Sequence, residues 1–340
     1  PGRPAHEMSY TQNDLLQSET APAVGALPRT TTHAWDGDRL PTVLTLPSGR
    51  TVTTAYDAAG RPATTTFDGD TITMSYLPTT GKLLALDSAT GVDLAYGYNG
   101  ILRTSTTFAG VVNGSVNWSY NNYFEVTAER VGTLTVSSTR DGDGLLTGIG
   151  QLTLTRDPTH GLVKNAAAGL VSTAFTHNGH GEVERADTGA LLSIAYLRDG
   201  LGRVTEKTEI RAGVTSTERY GYDDAGRLES ENVDGAVTSF AYDENGNRLQ
   251  AGAPSCTFDD RDRLIACGST SYDYNDDGQL AAKDDAGLVT TYEYDARGGL
   301  LRVVLPDGTD VEYVLDATGR RVGKMVGGVM VRQWLWSDAL

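Results

Sequence analysis

The chain has 340 residues, with 28 basic and 44 acidic side chains, a net charge of −16, 40 glycines and 16 tyrosines. A nucleic-acid binder would show a basic stripe, and none is visible; no run of about eighteen apolar residues exists, which excludes a membrane-spanning helix. Glycine and tyrosine at these levels suit turns and strands, and no long stretch carries a 3.6-residue apolar stripe with caps. An acidic surface of this size mainly keeps a protein dispersed.

Read from the N-terminus, an aromatic residue or its substitute recurs at Tyr10, Trp35, Tyr56, Tyr76, Tyr98, Tyr120, Arg140, Arg156, His177, Arg198, Tyr222, Tyr242, Phe258, Tyr274, Tyr294 and Leu315. These sixteen markers lie 16 to 25 residues apart, and fourteen of them are followed by Asp or Asn. Tyr10 and Tyr76, followed by Thr11 and Leu77, depart from the pattern. The clearest copies are Tyr56-Asp57-Ala58-Ala59-Gly60-Arg61, Tyr222-Asp223-Asp224-Ala225-Gly226-Arg227 and Tyr242-Asp243-Glu244-Asn245-Gly246-Asn247, with Tyr294-Asp295-Ala296-Arg297-Gly298 close behind. Self-similarity at a nearly fixed period means an array, so function must be argued for an array.

One copy spells a β-hairpin. The Asp or Asn opens a turn because its short side chain accepts from backbone N–H groups further on, and the Gly three residues later takes positive φ. Before the turn, apolar residues alternate at period two: Ile72, Met74 and Tyr76 share one face, Thr71, Thr73 and Ser75 the other. Midway between copies sit further turn signals, such as Pro47-Ser48-Gly49, Asp187-Thr188-Gly189, Asp234-Gly235 and Pro306-Asp307-Gly308. Each repeat therefore predicts two short antiparallel strands. No linker or break in composition divides the copies, so residues 1–340 form one continuous array, in phase from Tyr10 to Leu315 and reading as a segment of a longer protein.

Sixteen hairpins give about thirty-two strands, a sheet roughly 150 Å wide at about 4.8 Å per strand. Open twisted sheets rarely exceed about ten strands without curling. The predicted fold is all-β, a superhelical sheet that curls into a hollow barrel or shell whose second, Thr/Ser-rich face borders a wet or cargo-filled lumen. A width of 150 Å closed once gives a diameter of about 50 Å, far more than the about 10 Å between packed sheets that side chains can fill.

The repeats resemble the YD repeats of the RHS family, which build the shells of RHS polymorphic toxins, the cocoon of Tc toxin complexes and the barrel of the teneurins. The run from Phe258 to Leu280 and the stretch from Leu305 through Leu315-Asp316-Ala317-Thr318-Gly319-Arg320 to Lys324 carry the resemblance most strongly, and it covers nearly the whole chain. It implies a non-enzymatic shell segment that encloses or scaffolds a C-terminal cargo such as a toxin. The alternative is an extracellular adhesion or carbohydrate-binding module in the manner of teneurins. The implied partners are an enclosed polypeptide or the rest of the shell, or else glycans or a cell-surface receptor, with no nucleic acid and no membrane span. The implied location is secreted or cell surface.

In toxin members of the family a core segment with cleaving aspartates follows the repeats. Asp157-Pro158-Thr159-His160-Gly161-Leu162 faintly echoes part of it but falls in phase with the repeat, so it reads as an ordinary turn and no protease residue is carried over.

The remaining candidate sites favour structure over chemistry. His177-Asn178-Gly179-His180 lacks a third metal ligand, and His177 occupies a marker position. Asp141-Gly142-Asp143-Gly144 opens like a calcium loop, but Leu145 takes a ligand position and no Glu closes it. Asp276/Asp277 and Asp284/Asp285 stand at turns, where Asp is expected for backbone reasons. No nucleophile elbow or phosphate loop is present, and no cofactor is expected. Cys256 and Cys267 flank one turn on neighbouring strands, where a cross-strand bridge is sterically possible although the register is open.

Overall fold

The computed structural model describes residues 4–337, and every regular element in them is a β-strand, 33 in all. Each strand pairs antiparallel with the next in sequence wherever a ladder is defined. β1 (Glu7–Tyr10) leads pair by pair to β11 (Gly114–Tyr120), β13 (Leu134–Arg140) leads to β24 (Arg248–Ala251), and β25 (Cys256–Phe258) leads to β33 (Val329–Gln333) in a nine-stranded sheet.

Marker after marker closes a strand and faces the first residue of the return strand across a β-bulge. Tyr56 pairs with Pro62, His177 with Val183, Tyr222 with Leu228, and Tyr294 with Leu300. The bulge follows from the turn, which places five residues where a two-residue hairpin would keep the register. Tyr98 departs from this plan. There β9 (Asp93–Asn99) runs one residue further and Asn99 pairs with Leu102 of β10 (Leu102–Ala109), so Asn99 lies in the strand and Gly100-Ile101 makes the turn.

The period-two pattern is clear in many strands, while others, such as Leu280–Asp285, are half-buried on both faces. In the strand Thr51–Tyr56, Val52, Thr54 and Tyr56 are half-buried while Thr51, Thr53 and Ala55 are exposed. In Ala236–Tyr242, Thr238, Phe240 and Tyr242 are half-buried while Val237, Ser239 and Ala241 are exposed. The face away from the markers is mostly polar, with Leu197, Val237 and Val289 as exposed aliphatic exceptions.

Contacts gather the chain into two compact units. The first comprises 1–118, 130–133 and 256–340, and the second 119–129 and 134–255. Every buried hydrophobic side chain among the described residues belongs to the first unit, led by Val92, Leu94, Phe108, Val112, Val116 and Val322. The core of that unit lies where its early and late hairpins meet.

Candidate functional site, the ladder of repeat turns

Within a repeat, the Asp closes its own turn. The Asp57 N–H donates to the Arg61 carbonyl at 2.8 Å, its carbonyl accepts from Gly60 at 2.9 Å, and its Oδ1 accepts from the Ala59 and Arg61 N–H groups at 2.9 and 3.0 Å. Asp223, Asp243 and Asp295 repeat the arrangement with Arg227, Asn247 and Gly299. Gly60, Gly226, Gly246 and Gly298 take φ of 73°, 80°, 89° and 87°, a region a Cβ disfavours. Thr11 caps in place of Asp, its Oγ1 accepting from Leu15 N–H at 3.2 Å, so the copy at Tyr10 is a true repeat. Asp157 closes a turn of this kind one residue longer, with its N–H on the Leu162 carbonyl.

Between repeats, the marker side chain reaches back to the preceding hairpin. The hydroxyls of Tyr56, Tyr76, Tyr222, Tyr242 and Tyr274 donate to the carbonyls of Pro41, Pro62, Val204, Leu228 and Leu264 at 2.6–2.9 Å. Each acceptor is the first residue of the previous return strand. Trp35 Nε1 donates to Leu16 and Arg156 Nε to Leu146 in the same way, at 2.8 and 2.9 Å. Tryptophan and arginine can therefore stand in for tyrosine as the donating marker. Trp336 Nε1 on the Arg321 carbonyl, at 2.8 Å, is a seventeenth marker, 21 residues after Leu315, which the Asp/Asn rule missed because Ser337 follows it.

The residue four after the Asp completes the ladder. The guanidinium groups of Arg61, Arg203, Arg227 and Arg263 bind the carboxylates of Asp57, Asp199, Asp223 and Asp259 at 2.7–2.8 Å. The same four groups stack over the next repeat's Tyr76, Tyr222, Tyr242 and Tyr274, 4.2–4.7 Å from the ring centres. The Arg61 side chain and its N–H hold the Asp57 carboxyl below the usual carboxylate range. Burial pushes the Asp259 carboxyl up, but the Arg263 side chain and the Arg263 and Arg261 N–H groups outweigh it and hold the group low.

Two steps in the second unit invert these charges. Asn121 and Asn178 replace the Asp, and their side-chain amides bind Glu125 and Glu182 at 2.8 and 2.7 Å. Each glutamate then faces an arginine marker, Arg140 at 3.8 Å and Arg198 at 3.5 Å. A cation in one turn meets an aromatic marker, and an acid meets an arginine.

A seam joins early and late hairpins of the first unit. Arg261 donates to the Pro22 carbonyl, Ser48 N–H and Oγ bind the Asp277 carboxylate, Asp68 Oδ2 accepts from Ala296 N–H, and Trp118 Nε1 donates to Ser337. The sequence separations run 239, 229, 228 and 219, so successive contacts advance together. Between them Val92 forms a parallel bridge with Asp316, its N–H on the Leu315 carbonyl at 3.2 Å and its carbonyl on Ala317 N–H at 3.0 Å. Arg50 ties several of these together through Asp68, the Tyr294 carbonyl at 3.0 Å and Asp277 at 3.7 Å. Turns lying midway between repeats on the early hairpins thus receive the marker turns of the late ones.

The other candidates take structural places. His180 N–H donates to Asn178 Oδ1, Asp141 caps its own turn through Asp143 and Leu145, and Asp284 accepts from Gly287. No group of three or more His, Cys, Asp or Glu side chains among the described residues is arranged to hold a metal ion. Cys256 and Cys267 stand directly opposite each other, their Cα atoms 4.0 Å apart and their sulphurs bonded.

Hairpins tied to their predecessors by marker side chains, with early and late turns meeting along the seam of the first unit, define a protein of the YD-repeat class. The model of the Teneurin YD-shell family matches residues 5–339, and the chain belongs to that family. It is 26% identical to Teneurin-4 of Homo sapiens over 327 residues, covering 86% of this chain and 11% of that protein. It is also 32% identical over 136 residues, 38% of this chain, to the double-stranded DNA deaminase toxin A of Burkholderia cenocepacia, covering 9% of it. Among solved structures it is similar to TcdB2-TccC3-Cdc42, with a TM-score of 0.66 at 14% identity, over 94% of this chain and 22% of that one. The chain spans about a tenth of the length of the curated relatives it matches.

Proposed function

We propose that this chain is a non-catalytic stretch of shell wall, and that the shell encloses a polypeptide cargo belonging to the same protein, a toxin being the class of cargo the bacterial relatives suggest. The observation that carries the reading is the seam, where two runs of hairpins more than two hundred residues apart in sequence lie turn on turn. Stacked courses make a wall, and the mostly polar face opposite the markers suits a surface bordering water or cargo. The conspicuous carboxylates are committed to turns and to arginines, which supports scaffold work over catalysis.

The test is limited proteolysis of the polypeptide the gene encodes, followed by peptide mass mapping. Enclosure predicts that peptides downstream of the wall are cut only after the wall is unfolded in urea. Equal cutting in the folded and unfolded states would remove the reading. No helix among the described residues is long and apolar enough to cross a membrane, and a secreted or surface location accords with the reading.

A second reading, adhesion to glycans or to a cell-surface receptor, draws support from the extent of the similarity. Teneurins align over 50–90% of the chain, the bacterial toxins over 36–38%. Binding of the 340-residue chain to a glycan array or to intact cells would favour it, and silence in both would count against it.

A further inference from the structure

We infer that the Cys256–Cys267 bond is a thiol-exchange site that latches the seam, and that a dithiol reductant opens the first seam contact by cleaving it. The use of that opening, to loosen a wall, rests on the shell-wall reading. These are the two cysteines of the chain, and they pair at the open end of the hairpin whose turn begins the seam. Arg261 in that turn donates to the Pro22 and Pro28 carbonyls at 2.9 and 3.3 Å. It thereby grips both sides of the loop that the Ala21 N–H closes on the Arg29 carbonyl at 2.9 Å. Both cysteines are half-buried, not enclosed.

The hairpin has little else to hold it. β25 is the edge strand of its nine-stranded sheet and is three residues long. It pairs with β26 (Leu264–Cys267) through Thr257–Ala266, Phe258–Leu264 and the cystine itself. β26 pairs with β27 (Thr270–Tyr274) only at its last two residues, whereas β27 pairs with β28 (Leu280–Asp285) along its whole length. The marker here is Phe258, which has no hydroxyl to donate to a neighbouring strand as those of Tyr242 and Tyr274 do. Edge hairpins with few backbone bonds are the first parts of a structure to open. The covalent bond stands where these ties are fewest.

Reduction removes it without touching the seam. A thiolate of the dithiol attacks one cystine sulphur, a mixed disulfide forms as the Cys256–Cys267 bond breaks, and the leaving sulphur takes up a proton. The second thiol loses its proton, closes on the first and expels the other cysteine. Two electrons and two protons thus pass to the protein, and the reductant leaves as a cyclic disulfide. With its ends free, β25 frays and the order that aims Arg261 is lost. Opening stops at the fully paired β27–β28 step, so the contacts of Asp277 with Ser48, Ala296 with Asp68 and Ala317 with Val92 stay closed. Passage from an oxidising to a reducing compartment, where dithiol proteins keep thiols reduced, is the change this latch reads.

Hydrogen exchange of the polypeptide the gene encodes, read by mass spectrometry before and after dithiothreitol in native buffer, tests the latch. Reduction should proceed in the folded protein, leaving both thiols open to alkylation. Amides in 256–267 and the Ala21 amide should then exchange at least about tenfold faster, with the Ala296 and Ala317 amides unchanged. A bond that yields only in urea would overturn the inference, as would unchanged exchange at Ala21 or a speeding shared equally by Ala296 and Ala317. Cys256→Ala with Cys267→Ala should show the opened pattern without reductant and ignore dithiothreitol; a closed pattern in this variant would also overturn it. Arg261→Ala, with the bond intact, should free the Ala21 amide while 256–267 stays protected, and a slow Ala21 amide there would remove the link from hairpin to loop. The Ala317 amide, which donates to the Val92 carbonyl, separates the two readings. If it exchanges freely in the oxidised protein, the seam and the wall reading fail; if it stays slow while Ala21 ignores reduction, only the latch fails.

Discussion

The matching of charge between one turn and the next marker makes a quantitative prediction at Glu182 and Arg198. Their side chains are 35% and 24% exposed with 3.5 Å between the charged atoms, so the pair lies between a surface salt bridge and a buried one. Exposed pairs contribute about 0–1 kcal/mol, and breaking a buried one costs about 3–5 kcal/mol. Replacing the turn alone, with Asn178→Asp and Glu182→Arg, sets two guanidinium groups together and should cost about 1–2 kcal/mol. Replacing the marker alone, with Arg198→Tyr, leaves the Glu182 carboxylate half-buried without its cation and removes the bond from Arg198 to the Gly202 carbonyl, again about 1–2 kcal/mol. Combining the changes recreates the Arg203–Tyr222 arrangement, whose guanidinium lies 4.6 Å from the ring centre. That stacking contributes about 0.5–1 kcal/mol, so the combined variant should come within about 0.5 kcal/mol of the parent. Urea unfolding of the four proteins gives the coupling directly, and about 2 kcal/mol of rescue is expected. Losses that simply add would refute the matching of turn and marker.

Four further outcomes follow from the same contacts. Arg50→Ala should destabilise by about 2–3 kcal/mol, because it strips charge-assisted partners from Asp68 and Asp277, and should speed hydrogen exchange at the Ala296 amide. Unchanged exchange there would show the seam does not depend on it. Tyr222→Phe keeps the stacking but leaves the Val204 carbonyl without its donor, costing about 1 kcal/mol in urea unfolding; a neutral result would mean water replaces the hydroxyl. Alkylation without reductant should leave the mass of the chain unchanged because Cys256 and Cys267 are bridged, and reduction should cost about 3 kcal/mol for a loop of this length; two alkyl groups added without reductant would contradict the bridge. The Arg50 side chain holds the Asp68 carboxyl below the usual carboxylate range. Such depressed groups contribute fully above their unfolded value near about 4 and lose that contribution as pH falls through the lower folded value. The urea midpoint should therefore hold between pH 7 and 5 and fall below pH 4, and a constant midpoint down to pH 3 would contradict the assignment.

Much of the hairpin was legible because its causes are local. Asp57, Gly60 and the alternation of Val52, Thr54 and Tyr56 are all contained within about ten residues, and the strands fall where they predict. The marker's reach was not legible. Tyr222 meets Val204 and Arg227 meets Tyr242 across neighbouring strands, and which side chains lie abreast depends on the bulge at each marker. Counting Asp and Asn also misjudged two copies, for Thr11 caps as a hydroxyl and Asn99 stays in its strand. Trp336 was missed because Ser337, and not Asp or Asn, follows it. The seam lay furthest out of reach. Its partners are separated by 219 to 239 residues, and the twist accumulated over many strands decides which turns meet.

Electron cryo-microscopy of the polypeptide the gene encodes tests the shell reading most directly. The account predicts stacked courses of hairpins, with the Val92–Asp316 contact at their seam, around an internal space holding further polypeptide density. A particle with no internal space, or hairpins that do not stack turn on turn, would contradict it.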